Sequence, residues 1–380
     1  DPAGRRSMSV LHGVSAVIGW QTGFYIDYEP KPLGSIGFGI SPRTSDMEGR
    51  KLQLTGGSTY VVSLPKKWIV ASGLKAGDTV FVDTETDGSI SVRSQPREKA
   101  EVRKKVLEQK EEEHRDHLLR KLIGAYIGGY GLIEVRFPQD LGPFVRRVAR
   151  DFSRLVIGPE VIEESRNALL IQDLSDPAEL SAEKCIRRMY MTDRAMLEDA
   201  VTAVKSGDEV LARDVAQRDQ DVDRLYWMVA KQYGTAHRTM RGTGDAAAFA
   251  GIQNHRLIAK LLERVGDHAE RIAANVPVLA ARGIDPKLAK ELDAATASAI
   301  AILDKAFNAL VTEDIDSANE SVDSRGPHQK LIDNLQHHVA PRKGEELLAL
   351  GEVVDSIDRA AGYATDIAEI AINHAVSQNP

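Results

Sequence analysis

Four acidic side chains in the second half of this sequence have the spacing of metal ligands. Glu263 and Asp267 lie four residues apart in LLERVGDHAERIAANV, and Asp219 and Asp223 lie four residues apart in AQRDQDVDRLYWMV. Side chains at this spacing share a helix face, where like charges destabilise a solvated helix by a few tenths of a kcal/mol. A bound cation reverses that sign. Carboxylate oxygens suit several cations, and these residue types do not distinguish iron, Mn, Zn, Mg or Ca.

Two alternatives must be weighed. The first has no metal site, and the second has a catalytic one. In the first, the acids are solvated and paired with arginines, because acidic helix faces are common. The arginines available are Arg218, Arg224, Arg264 and Arg271. In the second, the bundle is a carboxylate-bridged di-iron enzyme, which needs Glu-x-x-His pairs on facing helices. Gly266 and Val222 stand where those histidines belong, and His268 turns roughly 100° away from Asp267. We therefore expect no enzymatic activity.

The elements that carry the acids are long amphipathic helices. Around Glu263 and Asp267, apolar residues recur at alternating steps of four and three, which predicts coiled-coil-like packing. This seam comprises Ile258, Leu262, Val265, Ala269, Ile272 and Val276. The two acids lie one or two positions off the seam, so they flank the packed face. If the helix of Asp219 and Asp223 packs antiparallel beside it, the two acidic pairs face each other.

Residues 175–380 contain an internal duplication. AVKSGDEVLA matches ALVTEDIDSA with Asp208 on Asp314, an offset of 106 residues. ERVGDHAERIAANV matches DRAAGYATDIAEIA with Glu263 on Asp358, an offset of 95 residues. The overlay predicts two three-helix repeats, at residues 175–282 and 283–380. Helix starts are expected at Asp176-Pro177 and Asp285-Pro286, and helix-to-helix turns at Gly207-Asp208 and Glu313-Asp314.

These features resemble the PhoU family of phosphate-signalling proteins. The resemblance rests on LLERVGDHAERIA, on the run from RRMYMTD to DRLYW, and on the paired D-x-x-x-D and E-x-x-x-D motifs. It implies a mainly α fold of duplicated three-helix bundles, with Asp219, Asp223, Glu263 and Asp267 as metal ligands. It also implies a regulator of phosphate uptake and homeostasis, an accessory or negative regulator that contacts the phosphate transporter or its sensor at the membrane.

The second repeat departs from that family pattern. Carried onto this repeat, the motif falls on Arg325, Gln329 and Gly362, and Asp358 alone remains acidic. One carboxylate beside an arginine is a poor metal site. The sequence therefore predicts one metal-binding face instead of two, and Gly326-Pro327 should break the second helix of this repeat.

Residues 47–95 predict a small β domain of a different kind. Turn signals at Gly56-Gly57 and Thr86-Asp87-Gly88 divide two hairpins, and Pro65 opens a short helix that ends at Gly73. So small a core favours an intertwined homodimer. The order of SLPKKW, SGLKAGD and flanking strands resembles the AbrB/SpoVT-type swapped-hairpin domain, and the whole domain order resembles archaeal phosphate-uptake regulators.

That second resemblance implies DNA binding. The matching basic positions are Arg50, Lys51, Lys66 and Lys67. The charge excess over residues 49–95 is small, six Lys and Arg against four Asp and Glu, so a domain that only dimerises the protein is the alternative. A DNA-binding transcription factor whose helical half is a ligand-sensing dimer platform is the alternative for the whole chain.

The remaining segments are less informative. Residues 1–46 are expected to be a tag or upstream segment, with Met47 a plausible natural start, and residues 96–174 a charged linker helix followed by a small α/β connector. The formal charge of −7 argues neither for nor against nucleic acid. A single cysteine fits a reducing cytoplasm, and no apolar run reaches the roughly 18 residues of a membrane span.

Overall fold

The computed structural model describes residues 49–57, 59–84, 90–94, 102–111, 114–176, 179–240 and 246–378. These residues form two compact units, which divide between Glu101 and Val102. The segment expected to be a tag or upstream sequence, residues 1–46, lies outside the described residues, as does Met47.

The N-terminal unit has the predicted order of strand, strand, short helix, strand and strand. Its elements are β1 (Gln53–Thr55), β2 (Thr59–Val61), α1 (Lys66–Ala71), β3 (Phe81–Thr84) and β4 (Ile90–Arg93). β1 pairs antiparallel with β2, and β3 with β4. Gly56 and Gly57 turn the first hairpin with φ of 64° and 85°, which side chains rarely adopt. Apolar side chains of this unit are exposed in the single chain: Leu52, Leu54, Tyr60, Val61, Val62, Val70, Phe81, Val82 and Ile90.

The connector is a four-stranded sheet with two helices. Its elements are β5 (Lys104–Glu108), α2 (Arg115–Ile127), β6 (Leu132–Arg136), a 3-10 turn (Gln139–Leu141), α3 (Gly142–Leu155), β7 (Pro159–Glu164) and β8 (Ala168–Asp173). The strand order is β5-β6-β8-β7, with β5 and β6 parallel and the other pairs antiparallel. Apolar side chains of α2, α3, β6 and β8 form one core.

Two connector predictions were wrong. The charged run expected to be a linker helix contains β5, an edge strand held by pairing with β6 and by an ion pair from Lys104 to Glu134 at 2.6 Å. Charged side chains are common on edge strands, and the partner strand is remote in sequence, so the local pattern hides the pairing. The segment EVIEESRNALLIQDL forms two strands, where only its second half was predicted extended.

The described part of the helical half contains two successive sets of four helices, where three per repeat were predicted. The first comprises α4 (Ala182–Ser206), α5 (Glu209–Met240), α6 (Ala246–Ala274) and a short α7 (Val276–Ala280). The second comprises α8 (Pro286–Thr312), α9 (Ile315–Asp323), α10 (Arg325–Val339) and α11 (Gly344–Gln378). The break between α9 and α10 falls at Ser324, beside the Gly326-Pro327 that predicted it.

Helix ends follow the predicted signals with one exception. Asp285 caps α8 by accepting from the backbone N–H of Leu288, and Pro286 is the first helical residue. The start expected at Asp176 was wrong: α4 begins at Ala182, and the Ser181 side chain accepts from the Lys184 N–H instead. Asp176 lies between the end of β8 at Asp173 and the start of α4 at Ala182, so the aspartate-proline signal lies before the helix.

The predicted seam packs as expected, since all six of its side chains are fully buried. It belongs to one core that runs through both repeats. Of the described helices, α8 is long and apolar enough to cross a membrane, but half of its most apolar window is buried inside the bundle.

Candidate metal site

Three of the four predicted acids come together between α5 and α6. Asp223 on α5 and Glu263 and Asp267 on α6 have ligand oxygens that all lie within 4.8 Å of one another. Asp219 lies one turn away on α5, deeper than the others, with 4% of its surface exposed. We call Asp223, Glu263 and Asp267 the outer triad.

The antiparallel packing of α5 and α6 produces this juxtaposition. A connection of five residues, 241–245, joins the two helices, and short connections give antiparallel neighbours. Asp219, earlier on α5, faces residues later on α6: Glu270 and Asp267 both raise its pKa. The like-charged pairs therefore face each other, as the sequence predicts.

The site is electrostatically unfavourable without a cation. Burial, followed by the charge of Asp223, raises the pKa of Asp219 to about 10. Burial and the charge of Glu263 raise the pKa of Asp223 to about 8 and that of Asp267 to about 6. A cation that replaced these protons would remove the repulsion, because opposite charge favours the ionised carboxylate.

Two basic side chains offset part of this charge. The Lys260 ammonium donates to both Glu263 oxygens at 2.6 Å, and the Arg264 guanidinium lies 3.5 Å from Asp267. Of the four arginines that could pair with the acids in place of a metal, Arg264 therefore does so. Arg218 pairs instead with Asp199 and Asp214, and Arg224 pairs with Asp221. Burial, followed by the charge of Arg271, lowers the pKa of His268.

The donor set fits a hard or borderline cation. Asp219 Oδ1 and Asp267 Oδ1 are buried and have no hydrogen-bond partner among the described residues. A buried, unpaired carboxylate oxygen costs free energy, whereas coordination would satisfy it. Oxygen ligands of this type hold Mg²⁺, Ca²⁺, Mn²⁺ or iron.

The sequence interpretation missed a fifth acid. Asp193 on α4 is fully buried, and neither of its carboxylate oxygens has a hydrogen-bond partner among the described residues. Burial, followed by the charges of Glu263 and Asp267, raises its pKa well above the ordinary value. A signal was present, because Asp193 occupies a core position in the apolar stripe of α4. That stripe comprises Ile186, Met189, Met196, Ala200 and Val204.

The corresponding place in the second repeat is closed by an ion pair. The Arg325 guanidinium lies 2.6 Å from Asp358, and the fully buried His328 lies 3.8 Å from the same carboxylate. The Gln329 side chain donates a hydrogen bond at 3.0 Å to Asp333, which lies on the same helix. Within the described part of the chain, the outer triad is the one acidic or mixed group with metal-ligand spacing.

The predicted DNA contacts belong to the N-terminal unit and have exposed side chains. Lys66 and Lys67 begin α1, and Arg50 and Lys51 precede β1. The structure places all four in one unit, and their role stays a prediction.

Two family models match separate parts of the chain. A PhoU domain model matches residues 186–276, which include the whole outer triad and both other acids. The model described as "Antidote-toxin recognition MazE, bacterial antitoxin" matches residues 53–100. The resemblance to the PhoU family is confirmed for the first repeat, and an AbrB-like domain precedes it. No curated protein matches the chain.

Solved structures of PhoU proteins are similar to about half of this chain. PhoU from Pseudomonas aeruginosa is 20% identical, with a TM-score of 0.48, over 53% of this chain and 98% of that protein. The phosphate transport system regulatory protein PhoU from Streptococcus pneumoniae is 15% identical, with a TM-score of 0.46, over 52% of this chain and 95% of that protein.

Proposed function

The chain carries a PhoU domain in its first helical repeat, and from this premise we propose that it is a metal-binding regulator of phosphate uptake and homeostasis. It would act at the cytoplasmic side of the membrane as an accessory or negative regulator of the phosphate transporter or its sensor. It would not be an enzyme. The observation that carries the proposal is the outer triad, which lies inside the segment that matches the PhoU model.

The outer triad suits a structural role for the metal. Asp223 comes from α5 and Glu263 and Asp267 come from α6, so shared coordination would fix the two helices against each other. The ion would supply positive charge and nothing else. Glu263 and Asp267 are partly exposed, with 13% and 11% of their side chains accessible, so the fixed face remains available to a partner.

Capture of partners from cells grown in low and high phosphate tests this proposal. We expect the full chain to retain transporter or sensor subunits in a phosphate-dependent manner, and the Asp223→Asn, Glu263→Gln variant to lose them. The control is Asp214→Asn with Asp221→Asn, which changes two exposed acids of the same helix that pair with arginines. Equal capture by all three proteins, or capture unrelated to phosphate, contradicts the proposal.

The match to the MazE model favours a second activity, DNA binding by a homodimer. The exposed apolar side chains of the N-terminal unit support dimerisation, because one copy leaves them in water. Arg50, Lys51, Lys66 and Lys67 would contact phosphates. Removing two phosphate contacts should lower the slope of log affinity against log salt by roughly two.

The variant Lys66→Ala with Lys67→Ala tests this second activity, with Lys75→Ala as the control. Lys75 lies in the same unit, after the short helix, and its backbone N–H binds Asp78. We expect the double variant to bind DNA more weakly with a smaller salt slope. Unchanged affinity and slope would leave a domain that only dimerises the protein.

A further inference from the structure

Helix α3 of the connector carries three arginines on one exposed side. Arg147, Arg150 and Arg154 are all exposed, whereas Val145 and Phe152 on the opposite side of the helix are fully buried in the connector core. An α-helix turns about 100° and rises about 1.5 Å per residue, so the three arginines lie within about 60° of one another and along roughly 10 Å of the axis. We call these three residues the arginine stripe.

The arginine stripe has no counter-charge in the described part of the chain. Its guanidinium groups form no ion pair or hydrogen bond among the described residues, whereas the adjacent Arg146 pairs with Glu164 and Arg115 of α2 pairs with Asp151. Members of the stripe stand three and four residues apart, the spacings at which like charges destabilise a solvated helix. The packing of α3 does not require this arrangement, because all three side chains are exposed.

Positive charge is concentrated on the two helices of the connector. α2 and α3 together carry seven Lys and Arg residues against two Asp residues. The whole chain, by contrast, has a formal charge of −7. A polyanion is repelled by the net charge of the chain and attracted by this helical layer, so the local charge determines where it would bind.

We propose that the arginine stripe binds the phosphate backbone of duplex DNA, in addition to the contacts proposed for the N-terminal unit. Arginine suits this partner, because its planar guanidinium can donate two parallel hydrogen bonds to one phosphate. Each strand of a duplex presents a phosphate about every 3.4 Å along the axis, so a stripe of roughly 10 Å spans about three phosphates. This inference rests on the second activity proposed above, DNA binding.

The chain between the two units is long enough for both to contact one duplex. β4 ends at Arg93 and β5 begins at Lys104, so ten residues connect these strands. Ten residues span at most about 35 Å, which is roughly one turn of B-DNA. Phosphate contacts carry no sequence information, so the arginine stripe would add affinity equally for every DNA sequence.

The burial of the apolar side of α3 favours DNA over a lipid surface as the partner. Helices that lie in a membrane interface place their apolar side among the lipid chains. The apolar side of α3 is not available for this, because Phe144, Val145, Val148 and Phe152 are buried in the connector core.

Fluorescence anisotropy of a labelled, mixed-sequence duplex with the full chain, measured over a series of salt concentrations, tests the proposal. The test variant replaces the whole arginine stripe, as Arg147→Gln, Arg150→Gln and Arg154→Gln. We expect it to bind DNA roughly tenfold or more weakly, and to lower the slope of log affinity against log salt by roughly two to three, because three phosphate contacts are lost.

A matched control removes the same charge from the helical half. Arg187→Gln, Arg188→Gln and Arg213→Gln change three exposed arginines of α4 and α5, and we expect the salt slope to stay that of the parent. Circular dichroism and thermal unfolding verify the fold of both variants. The stripe variant should be at least as stable as the parent, because repulsion between like charges is removed.

The outcomes separate this proposal from DNA binding by the N-terminal unit. A stripe variant with the affinity and slope of the control would overturn the proposal, whatever the effect of Lys66→Ala with Lys67→Ala. A loss in the stripe variant with no loss in that double variant would support the arginine stripe and count against the N-terminal contacts. A parent that binds no DNA would overturn both. Loss of binding to vesicles of phosphatidylglycerol and phosphatidylcholine, with DNA binding unchanged, would overturn the proposal in favour of a membrane surface.

Discussion

The two helical repeats share their packing and differ in their acids. The six seam residues of α6 and the start of α7 correspond to Val353, Ile357, Ala360, Ala364, Ile367 and Ala371 of α11, and both sets are buried. At the site, however, Asp219 is replaced by Arg325, whose guanidinium holds the remaining acid, Asp358. A side-chain cation stands in the second repeat where we propose a metal ion in the first.

This difference separates what the fold requires from what the function requires. A feature present in both repeats, such as the seam, serves folding. A feature present in the first alone, such as the outer triad, is dispensable for folding in the second. The duplication therefore supplies matched control positions within one chain.

The largest effect should come from the seam, and it should be the same in both repeats. Leu262→Ala and Ile357→Ala each remove a fully buried side chain from the common core. We expect each to lower the free energy of unfolding by about 2–5 kcal/mol, with or without metal. Urea unfolding monitored by circular dichroism measures it. A loss in one repeat only would show that the two seams are not equivalent.

The second prediction concerns pH and belongs to the first repeat alone. Burial, followed by neighbouring carboxylates, raises the pKa of Asp223 to about 8 and that of Asp219 to about 10. In the metal-free folded protein these two carboxyl groups therefore stay protonated above about pH 4, where the unfolded chain has already released the same protons. The stability of the fold should fall as pH rises from 6.5 to 8, by up to about 1.4 kcal/mol per pH unit for each group that stays protonated.

Urea unfolding in a chelator at pH 6.5, 7.2 and 8 checks this slope. The window lies above the range where His268 and His328 titrate, since burial lowers the pKa of each to about 4. Asp219→Asn with Asp223→Asn should reduce the slope and leave the part that comes from Asp193, whose pKa burial also raises. A slope equal to that of the parent would place the titrating groups elsewhere.

Removing one acid from each repeat should have opposite effects without metal. Asp219→Asn removes a buried carboxyl whose ionisation is unfavourable, so we expect the free energy of unfolding to rise by about 1–3 kcal/mol at pH 7.5. Asp358→Asn removes the ion-pair partner of Arg325, whose side chain is 31% exposed, so we expect the free energy of unfolding to fall by about 1 kcal/mol. Thermal unfolding in a chelator compares the two. If both variants gained stability, or both lost it, the proposed difference between the two repeats would be contradicted.

The smallest effect on stability should come from the helix caps at Asp208 and Asp314, and it should be the same in both repeats. Asp208 accepts from the backbone N–H groups of Val210 and Leu211, and Asp314 accepts in the same way from Asp316 and Ser317. Substitution of either aspartate by alanine should lower the free energy of unfolding by about 1 kcal/mol. Urea midpoints of Asp208→Ala and Asp314→Ala measure the cost, and a difference well above that value would show that one cap has a further role.

Local and periodic features of the fold could be predicted from the sequence. The seam, the turns at Gly207-Asp208 and Glu313-Asp314, and the break beside Gly326-Pro327 depend on residues close together in the chain. The strand β5 could not be predicted, because its charged residues become a strand only by pairing with β6. The helix start at Asp176 was wrong since a cap signal does not say whether a helix follows at once.

The same distinction applies to the site. Glu263 and Asp267 could be found because their spacing repeats the helix period, and Asp223 because it repeats that spacing on the next helix. Asp193 was missed since it stands alone on α4, where no second acid repeats the spacing. Its position inside an apolar stripe was a visible signal. It gains meaning once three helices are known to meet over Gly266.

Metal content of the purified full chain tests the central claim most directly. Elemental analysis should compare the parent with Glu263→Gln plus Asp267→Asn in the first repeat and with Asp358→Asn in the second. We expect the first variant to lose its bound metal and the second to keep all of it. Equal metal content in the parent and the first variant, or an equal loss in both variants, would contradict a metal site confined to the first repeat.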